Sequence, residues 1–433
     1  MQLVKNNLLF ISFLLLSSCF FGPFKEINNQ IEDSWSDSNS YINNPTPLKE
    51  FNQLIDIKIN KVYDFGLKSN KNFKNIILDP YFYSISTNGS IQALNIIENK
   101  LFWNYKHSNE IVAGLALNQE SLFFVDNIGY LNAIDSKNGT LQWKVFVGEV
   151  FSPPLSYDRS VLVKSTNGKV FSINTLDGSY QWNYQLPASN LIIKSWGELV
   201  GSDNKIFIGS ENGKIICLDF QNGTLIWETT FSQPKGTSEL DRSNAATSTP
   251  ILDDISLYVV SVNGNLSSIS KTDGSIYWSR PLSSFYGMTS SLKSLYVTHN
   301  SGAIYRIEKD TSTVIWRNAD LLGRDVSKPI MYLNYAIVSD YEGYLHFLDI
   351  ENGTLVGRAK LSDYQLLINP NNIIHDKLLI SNLEGELFLI SLENMNTIEL
   401  TNIYDTKNED ATKNSQDEKN TDDSFIDELF FWR

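Results

Sequence analysis

Apolar and polar positions recur along this chain with a long period. Take Gly89, Gly129, Gly168, Gly213, Gly264, Gly302, Gly343 and Gly385 as anchors, spaced 38 to 51 residues apart. Two positions after each stands a branched aliphatic: Ile91, Leu131, Val170, Ile215, Leu266, Ile304, Leu345 and Leu387. Five positions after come Leu94, Ile134, Ile173, Leu218, Ile269, Ile307, Leu348 and Ile390. The two offsets differ in parity, so in an extended strand they point to opposite faces and both faces are covered. A second turn follows at Asn138-Gly139, Asp177-Gly178, Asn222-Gly223, Asp273-Gly274 and Asn352-Gly353. Such pairs accept positive φ at both central residues, which predicts two-residue hairpins of type I′. The Asn-Gly-Thr runs also match a glycosylation sequon, but the hairpin accounts for the same residues. Each repeat then reads as four short antiparallel strands, for example 111–115, 122–125, 130–134 and 140–147.

A sheet that is apolar on both faces needs neighbours on both sides, and repeats of this length with a late tryptophan belong to propellers. Fourteen positions past the anchor stand Trp103, Trp143, Trp182, Trp227, Trp278 and Trp316. Their regularity marks them as wedges between blades, each burying about 150–250 Å² of aromatic surface. The expected fold is therefore all-β: an eight-bladed propeller of four-stranded antiparallel blades. Two blades depart from the pattern. Blade 7 has Gly357 at the tryptophan position, which predicts looser packing. Blade 8 has Glu399 there and lacks a final strand of its own. The alternating segment 54–65 precedes blade 1 and is the candidate to close blade 8, removing an exposed edge.

Composition and charge then narrow the function. A formal net charge of −14 argues against nucleic acid, because polyanion binding relies on clustered Lys and Arg releasing counterions. Lys5 and the apolar run 8–16 read as a secretory leader, too short to span a bilayer. Leu16-Ser17-Ser18-Cys19 looks like a lipobox, which makes Cys19 the lipidated residue. The alternative is an ordinary cleavable leader with an incidental cysteine. The chain divides into a leader (1–18), a polar tether (19–50), the propeller (51–393) and an acidic tail (394–433). Most of the tail has the composition of a disordered segment. Its end places Phe425, Leu429 and Trp432 at helical spacing behind a cap at Ser424, as in a short amphipathic helix; the alternative is a frayed terminus. Cys217 has no partner and reads as a small buried apolar residue.

Nothing in the sequence assembles a catalytic constellation. No two glycines are separated by one residue, which removes the dinucleotide fingerprint, and there is no P-loop. His107, His299, His346 and His375 fall on different repeats. We therefore expect no catalytic residue, metal or cofactor. The same repeat occurs in quinoprotein dehydrogenases, so a PQQ-binding oxidoreductase is one rival reading, although those enzymes often carry a Cys-Cys pair that is absent here. A periplasmic propeller for another ligand is a third.

The stretches 238–242, Thr249-Pro250, 263–266, Trp316 with 320–322, and 342–349 resemble the BamB family, lipoproteins of the bacterial β-barrel assembly machinery. That resemblance implies a non-catalytic scaffold on the periplasmic face of the outer membrane, held in the lipid through Cys19. Its implied partners are the POTRA domains of BamA and the Bam complex, and its role is assisting insertion of outer-membrane barrels. It also implies two docking elements. An apolar-x-apolar-basic element before blade 4 is matched by Leu191, Ile193 and Lys194. An acidic-basic loop before blade 5 is matched by Glu239, Asp241 and Arg242. Family members can carry aspartates further along this loop, whereas 243–248 here has no acid. The longest anchor spacings, around Gly213, fall in the same region, and extra length in repeat proteins collects in loops that bind partners. For 191–193 the alternative is a buried inner strand.

Overall fold

The computed structural model describes residues 45–64, 68–70, 73–187, 197–233, 246, 248–368, 373–374 and 376–394. Eight antiparallel sheets follow one another around a ring. Blade 2 is typical, with strands Ile111–Leu117, Ser121–Asp126, Tyr130–Asp135 and Leu141–Phe146 in that order outward. The aliphatic residues two and five past each anchor lie at the blade interfaces. Leu131, Ala113, Phe123 and Val125 of blade 2 share a core with Val161, Val163 and Ile173 of blade 3. Each such Val, Leu, Ile or Phe side chain contributes about 1.5–3 kcal/mol by leaving water.

The tryptophans join each of blades 1 to 6 to the next by one repeated contact. The indole N–H of Trp103 donates to the carbonyl of Ser136 at 3.0 Å, and that of Trp143 to Thr175 at 3.0 Å. Trp182 donates to Phe220, Trp227 to Lys271, Trp278 to Lys309 and Trp316 to Ile350. Every acceptor lies seven positions past the anchor of the following blade. The ring plane covers that blade's second turn, where a Cβ built on Gly223 would lie 2.5 Å from the Trp182 ring.

Those second turns differ from the expected hairpins. Gly139 is left-handed at φ 71°, but Asn138 is not, and Asp135 N–H pairs with the Thr140 carbonyl around a four-residue loop. The Asp135 carboxylate selects this longer turn by accepting from the amides of Lys137 and Asn138. Asn95, Asn174, Asp219, Ser270 and Asp349 cap their turns from the same offset. Asn138 in turn accepts from both the amide and the hydroxyl of Thr140, which explains the Asn-Gly-Thr pattern.

Closure follows the sequence expectation. Strand Ile55–Asp64 pairs antiparallel with Glu386–Asn394, from Ile55 opposite Asn394 to Asp64 opposite Glu386. It is the outermost strand of blade 8, whose remaining strands are Lys377–Asn382 and an inner strand in two pieces, Leu366–Leu367 and Ile373–Ile374. Tyr63 of the closing strand donates to the Ile96 carbonyl of blade 1. Ile96 is seven past its anchor, so a tyrosine makes across this seam the contact that tryptophan makes elsewhere. The looser packing expected of blade 7 is not found. Ile55, only 2% exposed, fills the space over Gly357, where an added Cβ would lie 2.5 Å from it.

Because strands alternate in direction, the anchor turns and the connections from one blade to the next share one end of the ring. At this anchor end, the residue three before each anchor is polar: Ser86, Asp126, Ser165, Ser210, Ser261, His299, Asp340 or Asn382. Asp126 and Asp340 accept from the amides of Tyr130 and Tyr344, and Asn382 from that of Glu386.

Candidate functional site

The anchor end concentrates what the chain has beyond a bare ring. Leu191, Ile193 and Lys194 belong to the connection between Tyr180–Gln185 and Val200–Ser202. Glu239, Asp241 and Arg242 belong to that between Leu225–Thr230 and Ile251–Leu252. All six lie outside the described residues, as do Cys19, His375 and the acidic tail. The two connections lead into adjacent blades at the same end of the ring.

On the axis at this end is a cavity of about 180 Å³, lined by connections and inner strands of seven blades. Its apolar wall includes Phe73, Met288, Leu366 and Ile368, and its polar wall Lys74, Glu198, Ser248, Asp325 and Lys328. Lys74 Nζ donates to Glu198 Oε2 at 2.8 Å. Asp325 accepts from Gln365 Nε2 at 2.9 Å. The Tyr286 hydroxyl is pushed well above its ordinary value, first by burial and then by the Asp325 charge. Lys328 is pushed below the usual lysine range by burial, against the attraction of Glu198 and with the repulsion of Lys74. None of these cavity residues was singled out from sequence. They are spread from position 73 to 368 over connections of different blades, so no local motif joins them.

The remaining candidate groups are absorbed by structure. His107 Nε2 meets Asp126 at 3.1 Å and His346 Nε2 meets Asp340 at 3.0 Å, both pairs buried. Asp340 also accepts from Arg324 Nε at 2.9 Å. Arg358 Nε donates to His346 Nδ1, so that ring is neutral, and burial lowers its pKa. Arg324 and Arg358 continue outward to hold the segment before the closing strand, donating to the carbonyls of Thr46 and Lys49. Cys217 is fully buried, and burial pushes its thiol up to about 12, which leaves no thiolate at neutral pH. Among the described residues, no three His, Cys, Asp or Glu side chains are grouped to hold a metal, and no helix is long and apolar enough to cross a membrane.

The ring geometry, the repeat and the interblade indole contact together define a propeller of the PQQ-like repeat class. Solved structures of that class superpose on it. A quinohemoprotein alcohol dehydrogenase from Comamonas testosteroni gives a TM-score of 0.63 at 10% identity, covering 80% of this chain and 78% of that one. BamB from Moraxella catarrhalis gives 0.70 at 21% identity, covering 78% and 100%. At these identities the likeness is one of fold. Sequence separates the two: the family described as "Outer membrane protein assembly factor BamB" matches residues 83–318. The protein of that name from Shewanella oneidensis is 31% identical over 283 residues, 65% of this chain and 71% of its own. That from Yersinia pestis is 27% identical over 303 residues, 70% and 77%. The chain belongs to the BamB family of outer membrane protein assembly factors.

Proposed function

We propose that this protein is a non-catalytic scaffold of the β-barrel assembly machinery, tethered by lipid on Cys19 to the periplasmic face of the outer membrane. In this reading it binds the POTRA domains of BamA and assists insertion of outer-membrane barrels. The carrying observation is the family match, which runs through six consecutive blades and spans both long connections. Supporting it, the longest connections enter adjacent blades 4 and 5 from one end, which suits a single docking face. Leu191 and Ile193 beside Lys194, with Glu239, Asp241 and Arg242 on the next long connection, have the composition of an apolar hot spot with a charged rim.

The deciding measurement is binding of isolated POTRA domains to a folded Leu191→Glu, Ile193→Glu double variant. Loss of about tenfold or more in affinity is expected; unchanged affinity moves the interface elsewhere. The anchor is checked by cell fractionation, in which Cys19→Ala should pass to the soluble periplasmic fraction. The dehydrogenase reading predicts instead a quinone absorbance band that titrates with protein, and such a band would overturn the scaffold reading.

A further inference from the structure

The end of the ring opposite the anchors is polar on one side and apolar on the other. There the two innermost strands of each blade meet in a tight turn. In blades 2, 3 and 4 these turns carry Asn118 to Glu120, Asp158 with Arg159, and Asp203 with Asn204. In blades 5, 6 and 7 they carry Ile255, Leu292 and Leu333, and in blades 8 and 1 the strand entering the turn carries Ile373 and Leu78. All five apolar side chains are exposed, Leu292 by 88%. The arc crosses the seam of the ring, since Ile374 of blade 8 and Ile77 of blade 1 pack in one core. Single exposed apolar residues are ordinary, but five on consecutive blades at one end form a patch of the kind that marks an interaction surface. Leu333 adds a conformational cost. It takes φ 52°, where blades 3 and 4 place Asp158 at 50° and Asp203 at 53°. A bulky apolar side chain is disfavoured in that region, and Asp is tolerated there.

The chain leaves the ring beside this arc. Strand Glu386–Asn394 runs from the anchor end to the opposite end, and blade 8 lies inside the apolar run of blades. Phe425 follows Asn394 by 31 residues. A chain of that length spans about 30 Å as a coil, and a compact domain of this size has a radius of gyration of about 20 Å. From Asp405 to Ser424 there is no large apolar residue, whereas 425–432 holds Phe425, Ile426, Leu429, Phe430, Phe431 and Trp432. Attachment to the same chain supplies this segment at an effective concentration on the order of millimolar.

We infer that the segment 424–433 docks on the apolar arc of its own ring, covering Ile255, Leu292, Leu333, Ile373 and Leu78. Burial of the two apolar surfaces against each other drives the contact. The contact lies at the end away from the long connections of blades 4 and 5, so it leaves that end open and does not depend on what binds there.

The test is disulfide trapping in the full-length chain carrying Cys19→Ala, in a cell extract without detergent. Cys217, the remaining cysteine, is fully buried. Lys293→Cys, next to Leu292, paired with Glu428→Cys leaves every apolar contact in place and should give a bridge within one chain, identified from the mass of the joined peptides. Arg159→Cys with Glu428→Cys places the thiol at the same end on the polar side, and should bridge at about a tenth of that yield or less. Hydrogen exchange gives an independent measure. Leu333→Asp installs the residue type of the equivalent turns, so the ring stays folded, and it should speed exchange of amides 425–432 by about tenfold or more, the loss of one buried leucine. Equal yields from the two cysteine pairs, or exchange of 425–432 that Leu333→Asp leaves unchanged, overturns the proposal. Bridges formed between chains instead of within one assign the arc to a second copy, and protection of 425–432 that appears only with phosphatidylglycerol vesicles assigns the segment to a lipid surface; either result also overturns it.

Discussion

A methyl group at the second turn of a blade decides whether the neighbouring indole can lie flat on it. At Gly223 the added Cβ would sit 2.5 Å from Trp182, and the backbone is left-handed at φ 71°. Gly223→Ala should therefore cost about 2 kcal/mol, from overpacking and from the left-handed conformation together, read as a shift in the denaturant midpoint. Blade 6 gives the converse case. Ser312 holds the corresponding position at φ 59°, so Ser312→Gly should gain a few tenths to about 1 kcal/mol in the same assay. His299 makes stability depend on pH. Burial, then the Arg317 charge, lowers its pKa from 6.5 to about 4. The unfolded chain thus binds a proton below pH 6.5 that the folded chain refuses until about pH 4. Stability falls as pH drops through that window, by about 1–2 kcal/mol at pH 5 from this residue. His299→Gln should flatten the profile of denaturation midpoint between pH 7.5 and 5.

At the scale of elements, the closing strand was legible because 54–65 alternates apolar and polar and has no partner in its own repeat. What alternation does not disclose is which core its inward residues join. Gly357 looks like a lost tryptophan in the sequence, and restoring Trp there would seem a consensus repair. With Ile55 already over Gly357, Gly357→Trp should instead lower the thermal midpoint, and Ile55→Ala should cost about 2–5 kcal/mol. The second turns were misread for a related reason. An Asn-Gly or Asp-Gly pair favours a two-residue hairpin, but the side chain four positions before the glycine captures two amides and lengthens the loop. That cap is hard to see because it alternates among Asn, Asp and Ser, any of which serves as acceptor.

Across the whole molecule, periodicity carried the ring, since anchors, aliphatic pairs and tryptophans all repeat. The axial cavity has no such signature: Lys74, Ser248 and Lys328 sit at one place in space through connections of different lengths. The proposed docking elements rest on resemblance alone, and the ring supplies only the shared end of their two connections. The closing strand also fixes an order in time. Lys58 and Glu393 are ion-paired although 335 positions apart, so the strand made first is completed by almost the last one. A chain delivered N-terminus first must keep 55–64 unpaired until the final blade arrives, the slow case for long-range contacts. During that interval the segment is an open edge to any chaperone, protease or neighbouring chain. A chain ending before Glu386 should never leave that state, and limited proteolysis should cut it near its N-terminus while sparing the complete ring.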